Sequence, residues 1–344
     1  MKVVLLGTEF AMNGAAVLLY RWAMHLVQRG HVVSAVPASQ KATAVGPLRD
    51  AYVAAGVTIE EKLVVDPQTL VICNTIAAAP YVIQTAPSTR TIWWLHEGEV
   101  GLELLFANPG AARAFHLAHA VIFPSAVIRD QVYASYLLGV PKQRLHVVPP
   151  GLEPLEQQAT ETEPQEEKRP LRIVCIGSIY PRKRQSDLIK AVALLRNVPI
   201  ECQLVGQMVS LEEEVTEIAR KSPKRFNFIG QLPHTEAMRL LDRADVLALP
   251  SSSECLPIAP LEAGQRGKAI LLSDLPAHEG IWRHGINCLM HPVGDVTLMA
   301  HSLRILASDP QLRERLGAQA RRVAAPYRND IFLARLSLVI ASLA

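Results

Sequence analysis

The chain has 344 residues, past the roughly 250–300 at which one hydrophobic core stops growing, so two domains of about 150–170 residues are expected. With 49% hydrophobic, 19% charged and 5% aromatic residues, it is too apolar for disorder and too poor in aromatics for most all-β architectures. Thirty-five Lys and Arg against thirty-two Asp and Glu leave +3, and no basic block is long enough to coat a phosphate backbone, which argues against a nucleic-acid partner.

The five cysteines, Cys73, Cys175, Cys202, Cys255 and Cys288, are odd in number, widely spaced and mostly set in apolar runs. Neither a disulfide framework nor a zinc pattern fits them, which implies a reducing, cytoplasmic setting. The opening MKVVLLGTEF is too short for a signal-peptide core, and no run of eighteen apolar residues occurs. The sequence therefore reads as neither exported nor membrane-spanning, while peripheral docking on the inner membrane face stays compatible with it.

In chain order, KVVLL (2–6) reads as a strand ending at Gly7, followed by the loop TEFAMNGAA, the amphipathic helix VLLYRWAMHLVQ and a second strand, VVSAV. VVDPQTLVIC, RTIWWL and HAVIFPS read as further strands, and PYVIQTA, GLELLFANPGAARAFHLA and SAVIRDQVYASYLLG as helical or partly helical. Such alternation requires crossovers and a parallel sheet covered on both faces. This first, doubly wound domain is expected to span 1–151. Residues 152–170, with six glutamates and few large apolar side chains, read as a linker.

The alternation restarts with LRIVCIGS at 171 and continues through IECQLVG, FNFIGQ, DVLALPS, AILLS and NCLMHP as strands, separated by helical segments. A second doubly wound domain is expected over 171–327. After it, 328–344 (NDIFLARLSLVIASLA in its main part) carries an apolar stripe that must dock, and its expected partner is the first domain.

Ligands of open α/β sheets lie beyond the carboxyl ends of the strands, so the residues after each apolar run carry the information. In ALPSSSECLPIAPLEAGQRGKAI, Glu254 lies in the loop after a strand and Glu262 eight positions later, on a helix expected to begin near Ile258. The unpaired amides of Ile258 and Ala259 at that helix start, with Pro260 in the first turn, suit a diphosphate. The run Arg182-Lys183-Arg184 precedes a helix, where the dipole disfavours cations, and so points to an anion nearby.

ADVLALPSSSE, the E-x7-E pair and PLEAGQRGKAILLSDLPAHEG resemble the donor-site signature of the retaining family 4 glycosyltransferases. NGAA, RGHVV, VIFPSAVIRD, LHVVPPGLE and IVCIGSIYPRKRQSDLIKAV extend that resemblance over most of the chain. It implies the GT-B fold: two facing Rossmann-like domains, with a C-terminal helix crossing back to the first. It also implies metal-independent transfer of a sugar from a nucleotide diphosphate sugar to a glycan, glycolipid or small-molecule acceptor, with no cofactor beyond that co-substrate. Carried over by motif, Glu254 binds a hydroxyl of the transferred sugar, Glu262 the ribose, and Ile258 and Ala259 the diphosphate. Lys183 neutralises the distal phosphate as it leaves, and the main chain of Gly230, Gln231 and Leu232 reads the base. Gly14, after Asn13, closes over the diphosphate. His96 holds the acceptor or donor sugar, Glu97 or Glu99 orients the acceptor, and Glu279 is structural.

Two positions depart from the family. Ser178 stands where an arginine is common, so Arg182 or Arg184 supplies the cation or Ser178 donates one neutral hydrogen bond. Leu256-Pro257 replaces an aromatic residue and glycine, and proline offers no amide. Two other classes compete with this reading. A nicotinamide-dependent oxidoreductase predicts a G-x-G-x-x-G followed by an acidic residue about 20 positions on, a spacing found in neither half. A non-catalytic glycosyltransferase-like binding or scaffold subunit predicts loss of Glu254, Glu262 or Lys183, all of which are present.

Overall fold

The computed structural model describes residues 1–8, 10, 13–37, 46–155 and 169–343. Most of the expected linker, 156–168, and the loop positions Glu9, Ala11 and Met12 lie outside them. The chain forms two compact units, Met1–Gly151 with Asn329–Ala344, and Leu152–Arg328.

The first unit runs β1 (Lys2–Thr8), α1 (Gly14–Gln28), β2 (Val32–Pro37), α2 (Pro47–Ala54), β3 (Thr58–Ile59), β4 (Leu70–Asn74), α3 (Ala79–Thr85), β5 (Arg90–Trp94), α4 (Glu99–Ala107), α5 (Arg113–Leu117), β6 (Ala120–Phe123) and β7 (Leu145–Val147). All strand pairs are parallel, in the order β3-β2-β1-β4-β5-β6-β7. β4 and β6 are buried at every position, as strands covered by helices on both faces must be. The winding reverses between β1 and β4. The pairing of β1 with β2 shifts register at Gly7 (φ +77°), and on the β4 side a Cβ on Gly7 would lie 2.7 Å from the Asn74 backbone carbonyl oxygen. Only glycine combines that backbone with that approach.

The second unit runs β8 (Leu171–Ile176), α6 (Gln185–Leu194), β9 (Ile200–Val205), α7 (Glu213–Arg220), β10 (Phe226–Gly230), α8 (His234–Arg243), β11 (Val246–Leu249), α9 (Ile258–Gln265), β12 (Ala269–Ser273), β13 (Leu289–His291), α10 (Val296–Ser308) and α11 (Pro310–Ala324). Its sheet, order β10-β9-β8-β11-β12-β13, is also parallel and reverses between β8 and β11. Because successive side chains point to opposite faces, Ile173, Cys175, Val246, Ala248 and Leu271 pack with α6, α7 and α10. Val174, Leu247, Leu249, Ile270 and Leu272 pack with α8, α9 and α11. Two apolar layers thus clamp the sheet and fix its carboxyl edge.

Leu152, expected to open the linker, instead belongs to this second core. It is 3% exposed, its N–H donates to the Tyr327 carbonyl at 2.7 Å, and it bridges Arg328. The last helix, α12 (Asn329–Ala341), buries Phe332, Leu336 and Val339, spaced by four and three residues, in the first unit. Phe332 lies 6.0 Å from the Trp94 ring, and Ser337 Oγ is 3.1 Å from His25 Nε2. All five cysteines are free, four of them buried. Among the described residues no helix is long and apolar enough to cross a membrane.

Candidate functional site

In the second unit the candidate residues gather at the β8/β11 reversal. After β8 the chain passes Gly177 and the exposed Ser178, makes a 3-10 turn over Pro181–Lys183, and enters α6 through Arg184 at φ +50°. Gln185, 2% exposed, supports this loop by donating from Nε2 to the Ser178 carbonyl at 3.0 Å. The loop after β11 is stitched to it: the Ser252 N–H and Oγ both donate to the Arg182 carbonyl, at 2.8 and 3.1 Å. These bonds bring Lys183 Nζ to 2.5 Å from Glu254 Oε1, which also accepts from the buried Ser251 Oγ at 2.6 Å. Arg182 lies 3.8 Å from Glu254 Oε2, donates to the Ser253 carbonyl at 2.6 Å, and rests over the Tyr180 ring.

The anions that this structure places beside the Arg182-Lys183-Arg184 run are the chain's own carboxylates. Its cations are already faced by internal carboxylates, because Arg184 folds back onto the buried Asp187 (2.6 Å) while Lys183 and Arg182 face Glu254. Three cations against two carboxylates leave one net positive charge. A phosphate entering here meets Lys183 already paired.

Helix α9 begins at Ile258, with Pro257 as its cap residue and no side-chain cap, so the first-turn amides of Ile258 and Ala259 have no side-chain acceptor. Glu262 is 9% exposed, and its Oε1 lies 2.6 Å from His234 Nε2 at the start of α8. Gly230 (φ +81°), the exposed Gln231 and the half-buried Leu232 form the loop leading to His234. The two glutamates of the E-x7-E pair hold different partners, Glu254 bonding Lys183 and Ser251 and Glu262 lying against His234. Glu279 is exposed, whereas its neighbour His278 is 1% exposed with Nδ1 2.9 Å from the Ser273 carbonyl. Burial pushes the His278 imidazole below its ordinary range, and the Glu254 charge opposes that shift.

In the first unit the polar residues meet at the β1/β4 reversal and the end of β5. His96 Nε2 is 2.7 Å from Asn74 Oδ1, and the ring lies 4.5 Å from that of Trp94. Burial pushes His96 down to about 3, so the ring is neutral at physiological pH. Glu97, expected to orient an acceptor, uses Oε2 to accept from the N–H groups of His96 and Ile76, each at 3.0 Å, and so ties β4 to β5. Burial raises its carboxyl despite those donors. Glu99 is exposed at the first residue of α4. Asn13 caps α1 by accepting from the Ala16 N–H at 2.9 Å, and a Cβ on Gly14 would meet nothing within 4 Å. Gly14 is thus not sterically confined to glycine by its described neighbours.

Ser251, His234, Asn74 and His278 were not singled out by the sequence. Ser251 is one of three successive serines, and the others are ordinary polar or titratable residues whose importance lies in a partner 22 to 28 positions away. Among the described residues no group of three His, Cys, Asp or Glu is arranged to hold a metal.

Two doubly wound parallel sheets, each with polar side chains at its reversal point, constitute a GT-B architecture. The crystal structure of Anabaena Alr3699/HepE in complex with UDP-glucose aligns at a TM-score of 0.78 and 16% identity, over 99% of this chain and 100% of that one. The family model of glycosyl transferases group 1 matches residues 156–323, and the second unit is a domain of that family. Glycogen synthase of Mycobacterium tuberculosis is 24% identical over 242 residues, 66% of this chain and 57% of that protein. The lipopolysaccharide core biosynthesis glycosyltransferase LpsD of Rhizobium meliloti is 31% identical over 149 residues, 42% of each. The chain thus spans about half the length of the curated relatives it matches.

Proposed function

We propose that the chain is a retaining glycosyltransferase of the family 4 type, moving a sugar from a nucleotide diphosphate sugar to a hydroxyl acceptor in glycan or glycolipid assembly. The observation that carries this reading is the Lys183–Glu254–Ser251 cluster at the β8/β11 reversal, with the Glu262–His234 pair on the neighbouring helices. In it, Glu254 engages the sugar, Glu262 the ribose, and Lys183 with the α9 amides the diphosphate, whose charge grows as it leaves. UDP-glucose, bound in the structure of Anabaena HepE, is the first donor to test.

No carboxylate other than Glu254 is assigned to the sugar, and Glu254 itself is tied to Lys183 and Ser251, so it is a poor nucleophile for a double displacement. Transfer on the front face is the mechanism that fits. The diphosphate departs from an oxocarbenium-like centre and takes the incoming hydroxyl's proton, while the neutral His96 orients the acceptor. No metal or further cofactor belongs to this scheme. A cytoplasmic enzyme with a peripheral membrane contact is consistent with it, through Phe106 and Leu104, exposed by 86% and 47% near the end of α4.

The test is a thermal-shift screen of nucleoside diphosphates, followed by donor hydrolysis and NMR of the product anomer. Nucleotide stabilisation, turnover and retained configuration are expected, with no glycosyl adduct by mass spectrometry. Inversion, or a stable adduct on a side chain, overturns the mechanism. Binding without turnover for every donor and acceptor points to a binding subunit.

A further inference from the structure

The candidate site assigns His96 a role but leaves open which ring nitrogen it offers. Asn74, the last residue of β4, is 2% exposed, and its Oδ1 lies 2.7 Å from His96 Nε2. A carboxamide oxygen only accepts, so the Nε2 atom must carry the proton of this bond, and in a neutral imidazole Nδ1 is then bare. Asn74 is itself fixed from several sides. Its backbone carbonyl oxygen faces Gly7 of β1, where an added Cβ would come within 2.7 Å. The next residue, Thr75, has φ +70°, a backbone that is strained outside glycine. That conformation is held by the Thr75 N–H donating to the Trp94 carbonyl and by Trp93 Nε1 donating to the Thr75 carbonyl, both at 2.8 Å. These contacts fix the backbone from which the Asn74 amide reaches the imidazole.

We propose that Asn74 is a positioning residue that locks His96 in the Nε2–H tautomer and leaves Nδ1 as its hydrogen-bond acceptor. The proposal rests on the reading in which His96 orients the acceptor. Nδ1 accepts a hydrogen bond from another hydroxyl of the bound acceptor and so orients it, leaving the reacting hydroxyl's single proton to pass to the departing diphosphate. Around the ring stand Asn74 from β4, the Trp94 ring from β5, and Glu97, whose carboxylate accepts from the His96 backbone N–H. Among the described residues no charged side chain bonds the imidazole, in keeping with its lowered pKa.

Nitrogen-15 NMR of the histidine-labelled full chain tests this, with the His96 signals assigned by their loss in His96→Gln. The expected spectrum shows a protonated Nε2 and a bare Nδ1, unchanged between about pH 5 and 8. In Asn74→Asp the carboxylate stabilises the imidazolium, so His96 titrates within that window and kcat acquires an acid limb, while donor KM stays within about twofold. In Asn74→Leu the lock is lost and the Nδ1–H form appears. A wild-type spectrum with the proton on Nδ1, or His96 shifts that ignore both substitutions, overturns the proposal. The wild-type spectrum decides even if a variant fails to fold. A spectrum as expected, together with wild-type transfer by His96→Ala, removes the acceptor role of His96 and leaves the tautomer lock standing.

Discussion

Lys183 Nζ and Glu254 Oε1 are 2.5 Å apart, although the residues lie 71 positions apart in the chain. The cation assigned to the leaving diphosphate and the carboxylate assigned to the sugar therefore neutralise each other, with side-chain exposures of only 16% and 7%. Donor binding has to share or divide this pair.

Replacing Glu254 by Gln keeps the shape and frees the ammonium. Nucleoside diphosphate should bind as well as before or more tightly, while kcat falls by roughly 10²–10³, the scale for one lost transition-state contact. Calorimetric titration alongside single-turnover transfer checks both halves. Weaker nucleotide binding at full kcat would contradict the division of roles.

Lys183→Ala should slow transfer by roughly 10²–10³ and also lower stability. Removing one partner of a buried pair costs about 3–5 kcal/mol in general, and Arg182, 3.8 Å from Glu254, should reduce this to about 2–3 kcal/mol. Adding Glu254→Ala to that variant should recover part of the stability and none of the rate, which urea unfolding of the double-mutant cycle would reveal.

His234 is 2.6 Å from Glu262 and holds one of its two oxygens. In His234→Ala the Glu262 carboxylate loses this partner, so the dissociation constant for nucleoside diphosphate should rise about tenfold. At saturating donor, kcat should change much less. A fall in kcat with unchanged KM would place His234 in the chemistry and contradict a ribose role for Glu262.

Seven histidines, His25, His31, His96, His119, His146, His278 and His291, are held below the ordinary 6.5, in each case chiefly by burial. Below that value the unfolded chain takes up protons that the folded chain refuses, so stability is fully present above about pH 6.5 and declines as pH falls toward the folded values. His96, at about 3, should alone remove about 2 kcal/mol between pH 6.5 and 5. The urea midpoint should accordingly drop over that interval, and drop less in His96→Gln. A flat midpoint would show these rings to be more accessible to protons than their burial implies.

Ending the chain at Arg328 removes Phe332, Leu336 and Val339 from the first unit. At about 1.5–3 kcal/mol for each buried apolar side chain, this costs roughly 4.5–9 kcal/mol and uncovers the Trp94 region. The first unit should lose cooperative unfolding and bind a hydrophobic dye, while the second keeps its nucleotide-dependent melting. An unchanged near-ultraviolet spectrum in the truncated chain would contradict this.

Much of the fold could be read from periodicity, because the apolar runs of β1, β4, β8, β11 and β12 are longer and purer than the loops between them. α2 and β3 were missed: PLRDAYVA is only two turns long and begins with proline, and Thr58-Ile59 is too short to show a period. Glu254, Glu262 and Lys183 stood out because each follows a strand within a recognisable spacing. Their partners did not. Nothing in a single sequence tells Ser251 from Ser252 and Ser253, or pairs His234 with a glutamate 28 residues on, because those choices are made by the packing of α8 and α9 on one face of the sheet.

The placement of α12 also orders the life of the nascent chain. The second unit is continuous and can fold as soon as residue 328 has emerged, whereas the first waits for a helix made roughly 190 residues after Gly151. At about 5–20 residues per second, that is an interval of about 10–40 s in which the Trp94 side of the first sheet has no permanent cover. Of the two units, the one that emerges earlier is thus the one finished later, and its apolar face stays open until α12 arrives.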